Sequence, residues 1–193
     1  PRLEFNNNHR LFFSPDNPEL LAFNKLERTF SKNDTLNLVI APANEQVFTP
    51  ETLALVAEVT TAAWQIPFTS RVDSLTNFQH TEGVGDDLVV RDLLAEPALD
   101  IAPESLQKLR AIALAEPLIN GSLVRDDARV TAVNVIVQLP RQDEAHEVPA
   151  VAAAARQIAR DVEERHPGTR VYLTGLVMMD NAFAEASRGD MRS

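Results

Sequence analysis

The chain has 193 residues and no cysteine, so it can bury a sizeable core without staples, and neither a disulfide framework nor a thiolate-held zinc is open to it. Apolar residues make up 45% and charged residues 24%, ordinary for a globular protein, and no run approaches the roughly 20 apolar residues that cross a bilayer. With 28 acidic against 18 basic side chains the net charge is -10, which argues against binding nucleic acid or anionic lipid through a basic face.

Pro1 to Arg10 contain no positive region followed by an apolar stretch, so no export signal is read there; a chain opening on Pro1 without Met is expected to be an excised or processed product. Asn17 is placed as an N-cap with Pro18 at the first helical position, and Leu20, Leu21, Phe23, Leu26 and Phe30 continue a mostly apolar stripe. Thr35 to Ala41 alternates at Leu36, Leu38 and Ile40 and then becomes continuously apolar, which predicts a central strand closed by Pro42. Thr49, Pro50 and Glu51 open the best-signalled helix. Its stripe is Leu53, Val56, Ala57, Thr60, Ala63 and Trp64, and Pro67 ends it. Trp64 is therefore expected in the core.

Ser70 to Phe78 carries Val72, Leu75 and Phe78 without clean alternation and is expected to be a strand. Asp126-Asp127 predicts a hairpin between Ser122 to Arg125 and a long strand from Ala128 to Leu139, with Thr131, Val133, Val135 and Val137 on one side. Pro149 is expected to open the last full helix, whose apolar face is Val148, Val151, Ala152, Ala155, Ile158, Ala159 and Val162. His166-Pro167-Gly168 stops it, and Arg170 to Thr174 is a short strand. Beyond it Met178, Met179, Ala182, Phe183 and Ala186 recur at helical spacing, the methionines as packing residues. Since the chain stops at Ser193 without a cap, more chain is expected past it.

With His80 to Asn120 set aside, the order is strand, helix, strand, strand, helix, strand. This is an α+β plan of the split βαβ, or ferredoxin-like (βαββαβ), type, two helices covering one face of a four-stranded antiparallel sheet. The segment set aside is a helical, acidic insertion between the second and third core strands. It holds a short strand or helix at Leu88 to Leu94 and a helix at Pro103 to Glu116, stopped by Pro117. The expected organisation is a linker and helix over 1–34, the α+β domain over 35–174 with its insertion at about 80–120, and a closing helix over 175–193.

Catalytic motifs are missing from the sequence. There is no Gly-x-Ser-x-Gly elbow, no Walker loop and no Gly-x-Gly-x-x-Gly after a strand. His80 with Glu82, Asp86 or Asp87 offers an imidazole and hard carboxylates for a divalent ion, but the spacing matches no ligand motif, and a solvated acidic loop is the better reading. No metal site, cofactor or catalytic residue is assigned. Between Glu82 and Glu104 the only basic residue is Arg91, among Glu82, Asp86, Asp87, Asp92, Glu96, Asp100 and Glu104. Val84, Leu88, Val89, Val90, Leu93, Leu94, Leu99 and Ile101 interleave with them. The simpler reading is a surface excursion with its own small core. The functional one is an apolar-lined flap with an acidic rim, for which Leu88, Val90, Leu93 and Leu94 are the substrate-path candidates.

Several strings carry a resemblance: Phe12 to Pro42, Thr49 to Leu94, Ala111 to Ile119 and Tyr172 to Ser187, with Val72-Asp73-Ser74-Leu75-Thr76-Asn77-Phe78-Gln79 and Met178-Met179-Asp180-Asn181-Ala182-Phe183 the most specific. In this order they resemble the first large extracytoplasmic loop of exporters in the resistance-nodulation-division (RND) superfamily, of the MMPL or hydrophobe/amphiphile type, over nearly the whole chain. The resemblance implies a periplasmic porter domain of ferredoxin-like type between two transmembrane helices of a proton-driven transporter in the bacterial inner membrane. It forms part of the path of a hydrophobic or amphiphilic, lipid-like or drug-like, substrate. The implied partners are the transmembrane helices and second periplasmic loop of the parent, with homo-oligomerisation in the intact transporter left open. No family residue role transfers to a position of this chain. Two other classes stand beside it: a free-standing soluble binding or adaptor domain, and a hydrolase built from dispersed carboxylates.

Overall fold

Alternation of small polar and branched apolar residues in two central strands organises the molecule. A computed structural model of the chain describes Ser14 and residues 16–22, 34–84, 87–94 and 97–190. After a helical turn at 18–22 come β1 (Asp34–Ala41), α1 (Pro50–Ala63), β2 (Thr69–Asp73), β3 (Gln79–Val84), β4 (Asp87–Asp92) and a 3-10 turn at Ala98–Asp100. They are followed by α2 (Pro103–Ala115), β5 (Thr131–Val137), α3 (Glu144–Arg165), β6 (Arg170–Thr174) and α4 (Leu176–Asp190). In the first helical turn Asn17 Oδ1 accepts the N–H groups of Glu19 and Leu20 at 2.9 and 3.1 Å, the expected cap. Phe23, Leu26 and Phe30, the rest of that stripe, lie outside the described residues.

The chain is mixed α+β. Its larger sheet has the order β2-β5-β1-β6, and every neighbouring pair is antiparallel. Leu36 faces Val135, Leu38 faces Val133 and Ile40 faces Val171, so one register puts the branched side chains of β1, β5 and β6 on a single face. There they pack with Leu55, Val56, Val59 and Ala63 of α1 and Val151, Ala155, Ala159 and Val162 of α3. The opposite face carries Thr35, Asn37, Val39, Ala132, Asn134, Ile136 and Tyr172. Asp126 and Asp127 form the expected turn, closed by Ala128 N–H donating to Arg125 O at 2.8 Å, and Val124 bridges Thr131 beyond it.

Four local expectations are corrected. Trp64 is 47% exposed, because it stands at the C-cap of α1, where the chain leaves the helix and Ile66 takes the core position instead. The strand read from Ser70 to Phe78 stops at Asp73. Asn77 Oδ1 accepts the Ser74 N–H at 2.7 Å, Asn77 Nδ2 donates to Val72 O at 2.7 Å, and Ser74 Oγ lies 2.8 Å from Thr60 Oγ1, so polar side chains satisfy the backbone in a turn and no ladder is needed. Helix α3 begins at Glu144, with Pro149 inside it. The buried Glu147 carboxylate accepts the N–H groups of Arg141, Gln142 and Asp143 at 2.9, 3.1 and 3.1 Å, ordering the entry that Pro149 was expected to set.

The fourth concerns α4, in which Val177 and Asn181 are buried among the described side chains, while Met179 and Phe183 are 49% and 59% exposed. Its orientation is set by Gly175, tight against β1, and by Arg156 of α3, which holds Glu185 with bonds of 2.7 and 3.0 Å; Asn181 Nδ2 donates to the same carboxylate at 2.8 Å. Met178 packs on the main core as expected. Among the described residues, no helix is long and apolar enough to cross a membrane.

Candidate functional site

Residues 79–115 stand outside the four-stranded sheet, between β2 and β5. They pack on a small core shared with the main body, where the simpler reading expected the segment to have one of its own. Leu75, Ala113, Ile119, Leu123 and Val124 gather around Val47, while Ala98, Ile101 and Leu109 gather around Leu53 of α1. Phe48 and Leu93 touch both groups, so the β1–α1 loop and the end of β4 join the excursion to the main body.

Strands β3 and β4 form a two-stranded hairpin whose register decides what the candidate residues can do. Gly83 faces Leu88 and Thr81 faces Val90, whereas Glu82 faces Val89 and His80 faces Arg91. Directly opposed residues share a face and successive residues alternate. Leu88 and Val90 therefore lie on the outer face, 78% and 56% exposed, away from Glu82 and Arg91. Leu93 and Leu94 are half-buried at the foot of the hairpin, packed into the small core, with Leu93 N–H donating to Phe78 O at 2.7 Å. The four candidates are thus not one surface: Leu93 and Leu94 belong to a groove, and Leu88 and Val90 do not.

That groove, about 250 Å³, runs between the inner face of the hairpin and α2. Leu93, Leu94, Ile101, Leu109 and Ile112 supply its apolar lining, and His80, Glu82, Arg91, Asp92, Ser105 and Lys108 its polar part, two carboxylates against two cations. Glu82 accepts a hydrogen bond from Lys108 Nζ at 2.8 Å and another from the Arg91 guanidinium. The Lys108 bond, followed by the Arg91 bond, lowers its pKa to about 2. The lone basic residue of the acidic stretch thus has a specific partner. Lys108 was not anticipated: it is 26 positions from Glu82 and no local spacing links them. The helical register of Leu109 and Ala113 in α2 was the available signal that this face of the helix packs inward.

The depressed carboxylate has a consequence for pH. Ionised Glu82 is favoured in the folded chain, so its two bonds are complete above the ordinary carboxylate range, near pH 4.5, and are lost as pH falls from there through about 2. An NMR titration of the Glu82 side-chain carboxyl is expected to give a midpoint near 2, moving up toward 4.5 in Lys108→Gln. A midpoint already at the ordinary value in the unchanged chain refutes the arrangement.

For metal chemistry, Glu82 is occupied by cations and Asp86 lies outside the described residues. Among the described residues, no group of three His, Cys, Asp or Glu side chains could hold a metal ion. No protein-family profile matches the chain, and no curated protein matches it.

Proposed function

We infer that this chain is a porter-type, extracytoplasmic domain of an RND-superfamily exporter of the MMPL, or hydrophobe/amphiphile, type. The observation that carries the reading is the sheet order β2-β5-β1-β6, all antiparallel, with α1 following β1 and α3 following β5. That order and connection fit a ferredoxin-like split βαβ core with an insertion between its second and third strands. The resemblance of the ordered strings adds the family, the proton-driven parent transporter and the periplasmic side of the inner membrane. A porter domain requires stiff sheet-and-helix units and a cleft with apolar surface for a greasy substrate, and the groove at Leu93 and Leu94 suits the second requirement.

The gene that encodes the chain provides the test. Stretches of about 20 mostly apolar residues are expected directly before Pro1 and directly after Ser193. If neither is there, the transporter reading is withdrawn and a free-standing binding or adaptor domain takes its place.

A further inference from the structure

We propose that Asn120-Gly121 is a hydrolytic modification site that the fold keeps closed. When the turn over 116–124 opens, Asn120 loses its side-chain amide to water and becomes aspartate or isoaspartate, and the acidic product hinders the turn from closing again. No groove residue takes part, so the site stands independently of the porter reading.

The chemistry follows from the dipeptide. Of all the asparagines in the chain, Asn120 alone is followed by glycine. Gly121 has no Cβ to obstruct the approach of its main-chain nitrogen to the Asn120 side-chain carbonyl carbon. In the first step a bond forms between Gly121 N and Asn120 Cγ, the Cγ–Nδ2 bond breaks, and ammonia leaves with the proton that Gly121 N carried. Water then opens the succinimide ring. Opening at Cγ restores the main chain with an aspartate, and opening at the main-chain carbonyl carbon leaves isoaspartate, with one extra methylene in the backbone. Nothing is oxidised or reduced, and Gly121 is exposed to the water that the second step consumes.

In the folded chain both reacting nitrogens are engaged. Gly121 N–H donates to Val124 O at 2.8 Å, and Asn120 Nδ2 donates to Leu114 O at 2.9 Å. The Asn120 N–H donates to Glu116 O at 2.9 Å, which ties the main chain on its other side. Ile119, Leu123 and Val124, which flank the pair, are buried with Val47, Leu75 and Ala113. Gly121 N can swing toward Cγ only if the turn comes away from this core, and such a local opening costs free energy.

The product acts through α2. The Leu114 carbonyl lies in the last turn of that helix, where carbonyls lack an intrahelical partner, and the Asn120 amide supplies one. An aspartate replaces this donor with a carboxylate that faces a carbonyl oxygen at the negative end of the helix, and α2 has no basic residue in its last turn to offset it.

The test follows the tryptic peptide 111–125 of the 193-residue chain, in which Asn120 is the only asparagine, by mass spectrometry that separates its asparagine, aspartate and isoaspartate forms. In mildly alkaline buffer the folded chain is expected to deamidate at Asn120 about tenfold or more slowly than the same chain unfolded in urea. Leu75→Ala, which weakens the core behind the turn, is expected to raise the folded rate severalfold, and Leu88→Ala to leave it unchanged. Asn120→Asp is expected to have a lower urea midpoint than Asn120→Ala, since both lose the bond to Leu114 but only the first adds the charge. Equal rates in the folded and unfolded chain overturn the protection, and a lack of isoaspartate in the unfolded chain overturns the site. An Asn120→Asp midpoint at or above that of Asn120→Ala overturns the effect of the product. The comparison of folded with unfolded chain needs no variant, so it decides the matter whether or not Leu75→Ala folds, and none of these outcomes depends on the apolar flanks that test the porter reading.

Discussion

Replacing Gly175 by alanine is expected to destabilise the chain by about 3 kcal/mol or more, a large fraction of the stability of a domain this size. Gly175 has φ +106°, a backbone conformation that side-chain-bearing L residues rarely adopt. A Cβ placed on it would lie 2.4 Å from the carbonyl oxygen of Thr35, 2.9 Å from that carbonyl carbon and 3.0 Å from Leu36 Cα. These are backbone atoms of β1, held there by pairing of Thr35 with Ile136 and Leu36 with Val135 of β5, so the obstacle cannot rotate out of the way as a side chain could. Relief requires β6 and α4 to shift together, loosening Val177 and Asn181 from the core. Gly121→Ala is the matched control. Its φ of +82° is also left-handed but nothing lies within 4 Å, so only the local strain of about 1 kcal/mol applies. Urea midpoints of the two variants measure the difference, and equal losses would remove the steric account.

Leu75→Ala is expected to cost about 2–5 kcal/mol, the range for deleting a fully buried leucine side chain. Leu75 is entirely buried in the turn after β2, packed with Val47, Ala113, Ile119, Leu123 and Val124. The ring of bonds among Thr60, Ser74, Thr76 and Asn77 fixes the backbone on either side of it, so the site cannot collapse readily onto the gap. Leu88→Ala removes the same atoms from a side chain that is mostly in solvent and is expected to change stability by less than about 0.5 kcal/mol. Chemical denaturation of the pair gives the comparison. A Leu75→Ala loss as small as that of Leu88→Ala would mean that the turn is not anchored as described.

Much of the sheet and its two covering helices was legible because each element solves a one-sided burial problem with a simple period. Leu36, Leu38 and Ile40 alternate, as do Val133, Val135 and Val137, and Thr49 with Pro50 marks a helix start that Thr49 Oγ1 confirms by accepting the Thr52 N–H. Strand β3 was illegible for the converse reason. Gln79, His80, Thr81, Glu82 and Gly83 carry no apolar alternation, since neither face of the hairpin is buried deeply enough to demand one. The displaced boundaries at Asp73, Ala63 and Glu144 all trace to polar side chains or caps that redirect the backbone locally, where hydrophobic period is silent. In α4 the apolar spacing of Met179 and Phe183 is real, but contacts made by Gly175 and Glu185 turn that stripe outward.

The candidate site divides along the same line. Leu93 and Leu94 could be singled out from an apolar run in an acidic stretch, and they do line the groove. Leu88 and Val90 come from the same run, yet strand alternation sends them to the far face. The Glu82–Lys108 contact joins a hairpin to a helix and exists only once the tertiary structure has formed.

The pairing of β1 has a bearing on how the chain reaches its fold. Both neighbours of this strand come late in sequence: Ile40 meets Thr131, and Ala41 meets Arg170. The sheet therefore cannot begin around its centre until a long stretch of chain has been closed into a loop, which makes for a slow, high-contact-order assembly. Under this arrangement the excursion between β2 and β5 is a small burden, because each doubling of a flexible loop adds only about 0.6 kcal/mol of closure entropy. A nascent chain not yet extended to Arg170 leaves β1 with one open edge, so the last strand also serves as the cover against premature association.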